Sequence, residues 1–176
     1  MEFITEYPPI IYIVGAVDHS TAGRGQLLPT DEVSIEIPIE PKPKLRPRFH
    51  IQRGRISTST PLETKAYESF IADYYGYNCG TKFEKGEPLE VNLFFGMPIP
   101  ASFSKKKHKL CVNGQQPHIV KPDVDNLTKA ILDALNQVAW NDDAQITKMC
   151  ISKGYAEEPH INIRIKKDIN SSGENK

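Results

Sequence analysis

Between Asp125 and Val138, Leu127, Ala130, Ile131, Ala134, Leu135 and Val138 recur at i, i+3, i+4, i+7, i+8 and i+11. This is the spacing of one helix face. Such a stripe is stable only when a second apolar surface covers it, so the chain must fold in layers around it. Segments that alternate with period two supply that surface. Val33-Ser34-Ile35-Glu36-Ile37 does so, as do Ile161, Ile163 and Ile165 between Asn162, Arg164 and Lys166. The β-rich runs 89–95 and 144–152 add two more strands. A second helix is predicted from Thr60, with Thr60 as N-cap, Pro61 at the first helical position and Glu63 closing a capping box. Its apolar stripe reads Leu62, Ala66, Phe70 and Tyr74, with Tyr67 and Ile71, and Gly76 or Gly80 ends it. The predicted fold class is α+β: a two-layer sandwich, order β-α-β-α-β-β, with two helices on one face of a mixed sheet and hairpin-like final strands.

One domain, 33–167, accounts for most of the 176 residues. Residues 1–32 read as an extension with no assigned role, and 168–176 as a polar tail. The longest apolar run, Ile10 to Val17, is far short of the ~20 residues that span a bilayer. Glu2 and Glu6 stand where a leader peptide carries basic residues. The expectation is a cytoplasmic protein with no membrane partner. Cys79, Cys111 and Cys150 are widely spaced, form no CxxC pair and read as buried reduced thiols.

Charge is balanced, 22 basic against 22 acidic residues, but segregated. Lys42, Lys44, Arg46, Arg48, Arg53 and Arg55 fall in an acid-free window, 41–60, read as an extended Pro-rich loop. Lys105, Lys106, Lys107, Lys109 and Lys121 fall in a second, 97–122, read as a long loop. Half of the basic residues therefore lie where no carboxylate opposes them. Such a face suits a polyanion, because each Lys or Arg near a phosphate releases condensed counterions. Two solvated loops are the plainer alternative. Phe49 and Phe103 beside these runs read as packing, with stacking on opened bases as the alternative. His50, His108 and His118 read as surface or phosphate contacts rather than metal ligands.

Both windows precede the acidic motif, the second running into Lys121-Pro122-Asp123-Val124-Asp125-Asn126-Leu127-Thr128-Lys129-Ala130. Asp123 and Asp125 converge at a helix start, with Lys129 one turn on. Asn141-Asp142-Asp143-Ala144-Gln145 follows the helix, and a short turn there offers Asp142 and Asp143 a route toward the first pair. Two carboxylates ~4 Å apart repel by about 4 kcal/mol at an effective dielectric of ~20. A shared cation relieves this, and all-oxygen donors select Mg²⁺ or Mn²⁺. A two-metal site ~3.5–4 Å across activates water and steadies a leaving oxygen. Each residue also has a simpler role: Asp125 as a helix cap, Asp123 and Asp142-Asp143 as turn residues, Lys129 as an ion-pair partner. An EF-hand is excluded, since Leu127, Thr128 and Ala134 occupy the positions that require an oxygen ligand, Gly and Glu.

The run 121–135, followed by Asn141-Asp142-Asp143-Ala144-Gln145 and preceded by Pro43-Lys44-Leu45-Arg46-Pro47-Arg48, resembles the RusA-like Holliday-junction resolvases of bacteria and their phages. The resemblance covers roughly 33–166. It implies a homodimeric, Mg²⁺-dependent endonuclease that nicks opposing strands of four-way DNA junctions in recombination and repair. By motif it places metal-binding, catalytic acids at Asp123, Asp125 and Asp143, with Lys129 as the catalytic lysine; Asp142 ranks lower. A junction has two-fold symmetry, which two active sites related by a dyad match. The two basic windows then become DNA-binding loops. The competing expectation is a structure-selective DNA-binding protein that does not cut.

Overall fold

The computed structural model describes residues 31–52 and 55–168. Nearly all of the expected N-terminal extension, and the tail beyond Asp168, lie outside them. The element order is β1 (Glu32–Ile37), β2 (Arg48–Gln52), β3 (Arg55–Ser59), α1 (Leu62–Asn78), β4 (Leu89–Pro98), α2 (Lys105–Val112), α3 (Val124–Leu135), a 3-10 turn (Asp143–Gln145), β5 (Ile146–Ala156) and β6 (His160–Lys167). The class is α+β, with a mixed four-stranded sheet and three helices. Among the described residues no helix is long and apolar enough to cross a membrane.

The sheet runs β1-β6-β4-β5. β6 pairs antiparallel with both β1 and β4, whereas β4 and β5 are parallel. The final two strands are therefore not the expected hairpin. The crossover from β4 through α2 and α3 lays β5 parallel to β4 at the sheet edge, and β6 fills the slot on β4's other side. A parallel pair requires such a crossover, and a helix is its usual form.

Alternation places Val33, Ile35, Ile37, Val91, Leu93, Phe95, Ile161, Ile163 and Ile165 in one core with Leu127, Ala130, Ile131 and Leu135 of α3. The other face is charged: Arg164 forks onto Glu32 at 2.7 and 3.1 Å, and Lys148 and Lys166 each reach Glu90 at 3.2 Å. Desolvation pushes the Glu90 carboxyl up, but hydrogen bonds from Asn92, Lys148 and Lys166 outweigh it and hold it at about 2. Gly96 lies beneath His160, where an added Cβ would come within 2.8 Å of the imidazole.

α1 corrects the sequence reading twice. It starts at Leu62 with Pro61 as N-cap, and no side chain caps it, so the Thr60 box does not form. Its buried face is Thr64, Tyr67, Ile71 and Tyr75; Leu62 and Phe70 are exposed. Two apolar stripes overlap on this helix. The inward one carries tyrosine hydroxyls with fixed partners: Tyr67 accepts from the Lys42 backbone at 3.0 Å, and Tyr75 donates to the Thr81 carbonyl at 2.8 Å. Burial pushes the Tyr67 phenol up to about 12. Gly80, at φ 63°, supplies the left-handed residue that closes the helix.

Both basic windows hold more structure than loops. Part of the first is the β2–β3 hairpin, and the second contains α2, started by Ser104, whose side chain accepts from Lys107 N–H at 3.3 Å. Asp168 belongs to the folded body: its N–H donates to Pro88 and its carboxylate accepts from Thr147 at 2.7 Å.

Candidate functional site

Asp123 is the N-cap residue of α3 and Asp125 lies in its first turn. Both are exposed, and Asp123 makes no capping hydrogen bond. Lys129, also exposed, follows Asp125 by one helical turn. The segment leading into Asp123 is anchored from β5. Lys153 Nζ donates to the carbonyls of Val120 and Pro122, 2.7 Å each. Nothing in the sequence pattern singles out Lys153, because the contact joins residues about thirty positions apart.

Asp143 opens the 3-10 turn. Trp140, fully buried, donates its indole Nε1–H to Asp143 Oδ1 at 2.8 Å. Asp142 caps the turn by accepting from Ala144 N–H at 2.8 Å. Gln145 is the keystone. Its Oε1 accepts from the N–H groups of Asn141 and Asp142 at 2.8 and 3.2 Å, while Nε2 donates to the carbonyls of Glu84 and Glu87 at 2.7 and 3.2 Å. Asn141 Nδ2 adds a bond to Phe83 O, and Phe83 N–H one to Ala139 O. The buried amide thus uses both ends, and the Asn-Asp-Asp-Ala-Gln run is bolted to the segment that leads into β4.

These anchors place the two acidic elements at opposite ends of the same layer. α3 has 12 residues, about 18 Å of axis. Asp123 precedes its first turn and Asp143 follows its last. Lys153, which fixes the Asp123 end, stands seven residues into β5 from Ile146, about 23 Å at strand rise. Two independent rulers agree, so the turn after α3 does not carry Asp143 back to Asp123 within one chain. Among the described residues no three of His, Cys, Asp and Glu stand close enough to hold a metal ion together. Asp123 and Asp125 remain as an exposed oxygen pair suited to a hard cation.

Of the basic residues, Lys105, Lys106 and Lys109 project from α2 and are exposed, and Lys107 Nζ sits 3.6 Å over the Phe103 ring. Phe103 packs edge-on against Tyr155 at 5.8 Å. Lys42 and Arg46 are exposed; Arg48 and Arg55 belong to the hairpin, and Arg53 lies outside the described residues. Lys44 has a structural post. Its ammonium binds Glu68 of α1 at 3.0 Å and Asp133 of α3, and its N–H donates to Asn126 O at 3.0 Å. Desolvation lowers its pKa, but those two carboxylates more than offset this and raise it.

His118 differs from the surface reading. It is buried against the Tyr155 ring at 4.7 Å, and burial, then the Lys153 charge, lowers its pKa. The cysteines differ in part: Cys111 is buried, Cys79 half-buried and Cys150 exposed, all as free thiols. Burial pushes the Cys79 thiol up to about 11.

A family model described as Endodeoxyribonuclease RusA matches residues 38–166. Uncharacterized protein YqaN of Bacillus subtilis (strain 168) is 32% identical over 128 residues, covering 72% of this chain and 90% of that protein. The match spans both acidic elements, α2 and the β2–β3 hairpin, and with it the chain belongs to the RusA endodeoxyribonuclease family.

Proposed function

We propose that the protein is a Mg²⁺-dependent endonuclease that resolves four-way DNA junctions by paired nicking and works as a homodimer. One observation carries this reading beside the family match: an exposed carboxylate pair, Asp123 and Asp125, at the start of a helix whose approach is pinned by Lys153. These two residues would hold the ion, with Asp143 as the third acid. Bound there, Mg²⁺ or Mn²⁺ supplies a polarised water and charge relief at the scissile phosphate.

The remaining work falls to this chain's own groups. Lys129 faces solvent one turn from Asp125 and balances phosphate charge. Lys105, Lys106 and Lys109 on α2, with Lys42, Arg46, Arg48, Arg53 and Arg55 of the first basic window, grip the sugar-phosphate backbone, which sets register rather than sequence.

The test is cleavage of a synthetic four-way junction against plain duplex in Mg²⁺, with Asp123→Asn and Asp125→Asn. The junction is cut in paired strands, the duplex is spared, and each variant loses about 100-fold or more, the scale of removing a preorganised electrostatic contact. Equal cutting of duplex would mean a general nuclease. A steep salt slope without cutting under any divalent ion would mean a non-cleaving junction binder.

A further inference from the structure

We propose that Ile119 and Val120 form an apolar wedge that enters the base stack at the branch of a four-way junction, next to the strand held at Asp123 and Asp125. The proposal rests on the endonuclease reading and adds how that site selects branched over continuous DNA.

Three observations carry it. The first is exposure. Ile119 is 81% exposed and Val120 55%, side by side, although burying either would stabilise the fold. The second is rigidity. On one side of the pair His118 is only 7% exposed and packs edge-on against Tyr155, ring centroids 4.7 Å apart. On the other, Lys153 Nζ donates to the carbonyls of Val120 and Pro122 at 2.7 Å each. The backbone is held in while two aliphatic side chains are turned out. Tyr155 also meets Phe103 at 5.8 Å, and the Lys107 ammonium sits 3.6 Å over that ring. One aromatic column thus joins this loop to the lysine-bearing α2. The third is position. Val120 precedes Asp123 by three residues, at most about 11 Å of extended chain. At ~3.4 Å per base step, that reach covers about three steps from a phosphate held at the acidic pair.

The surroundings choose the occupant. Lys121 beside the pair and Lys105, Lys106 and Lys109 of α2 are exposed, and no carboxylate lies in 97–122. A protein surface would have to bring acids to match that charge. A DNA backbone supplies phosphates and offers apolar base faces inside them. Apolar wedges part base steps and kink the duplex. Within continuous duplex such a wedge must first break stacking. At a branch, where strands exchange partners, stacking between arms is already weakened, so parting the bases offsets less of the gain from burying Ile119 and Val120. The pair therefore favours branched over linear DNA without reading sequence.

A four-way junction with 2-aminopurine at its branch tests this, since that base fluoresces more when unstacked. A linear duplex with the same label is the reference. Both are titrated in Ca²⁺ in place of Mg²⁺, to keep the arms folded while slowing hydrolysis. Wild type is expected to raise emission at the branch and leave the duplex unchanged. The double variant Ile119→Ser, Val120→Ser loses that rise, and its preference for junction over duplex falls about 10-fold or more, the scale of an aliphatic side chain no longer buried. Leucine at both positions restores the rise and the preference. Solution mass and melting midpoint of the serine variant stay at wild-type values, because both side chains are exposed in the folded protein. A serine variant that keeps either the rise or the preference would overturn the proposal. So would a change in its oligomeric mass, which would assign the pair to a contact between copies of this chain. Cutting in Mg²⁺ is read separately. Wild type that raises emission yet cuts under no divalent ion sinks the endonuclease reading alone, whereas wild type that cuts junctions with no rise sinks the wedge alone.

Discussion

Replacing Trp140 with Phe separates the packing of the 3-10 turn from its electrostatics. Trp140 is fully buried and donates to Asp143 at 2.8 Å. Losing a hydrogen bond to a charged acceptor costs about 1.5–3 kcal/mol. Two ring carbons leave the core as well, at ~0.8 kcal/mol each. The expected destabilisation is therefore about 3–5 kcal/mol, a large part of the ~5–15 kcal/mol that holds a domain together. At ~2–4 °C per kcal/mol, the melting midpoint falls by roughly 6–20 °C. A thermodynamic cycle with Asp143→Ala isolates the bond itself, since contacting residues couple by ~0.5–3 kcal/mol. Urea unfolding of wild type, both single variants and the double supplies the four values. A drop below about 1 kcal/mol for Trp140→Phe, or strict additivity in the cycle, would refute the claim that this indole steers Asp143.

Two further outcomes follow from other contacts. Lys153→Met removes both bonds that anchor the segment before Asp123, so amide exchange over 119–126 accelerates at least 10-fold and the Mg²⁺ demand for cutting rises, while Lys153→Arg restores most of both; unchanged exchange would reassign Lys153 to the surface. Glu90, held at about 2 against an ordinary value near 4.5, contributes stability that is complete above about 4.5 and vanishes as pH falls through about 2. Glu90→Gln lowers the neutral-pH melting midpoint and flattens the acid limb between those values; a limb identical to wild type would show that its three partners contribute nothing.

The sheet was legible because its strands obey a local rule. Val33, Ile35 and Ile37, and Ile161, Ile163 and Ile165, alternate strictly, and each alternation became a strand with that face in the core. α3 was legible for the same reason. Pairing order was not, since nothing in 144–166 distinguishes a hairpin from a split by β4; that choice is made by the crossover through α3. α1 misled because two apolar stripes share one helix, and the outward one, Leu62, Ala66 and Phe70, has the cleaner spacing. α2 was hidden by its charge: Lys105-Lys106-Lys107-His108-Lys109 has no apolar face to read, and only Ser104 marks its start. Among the site residues, the acids were visible as a motif. Their anchors were not, because Lys153, Trp140 and Gln145 act through carbonyls and side chains that only the fold brings near.

The separation of Asp123 from Asp143 is built into the same core that stabilises the fold. α3 must be long enough to cover the inward face of β4 and β6, and 12 residues do this. That length sets its N-terminal and C-terminal neighbours apart. A shorter helix would bring the acids together but uncover Leu93, Ile163 or Ile165, each of which is now no more than 3% exposed. The chain keeps the longer helix, and each acidic element is held rigid on its own: the approach to Asp123 through Lys153, and the turn of Asp143 through Trp140 and Gln145. Little ordering entropy then remains to oppose ligand binding, so association can be spent on positioning carboxylates rather than on folding them.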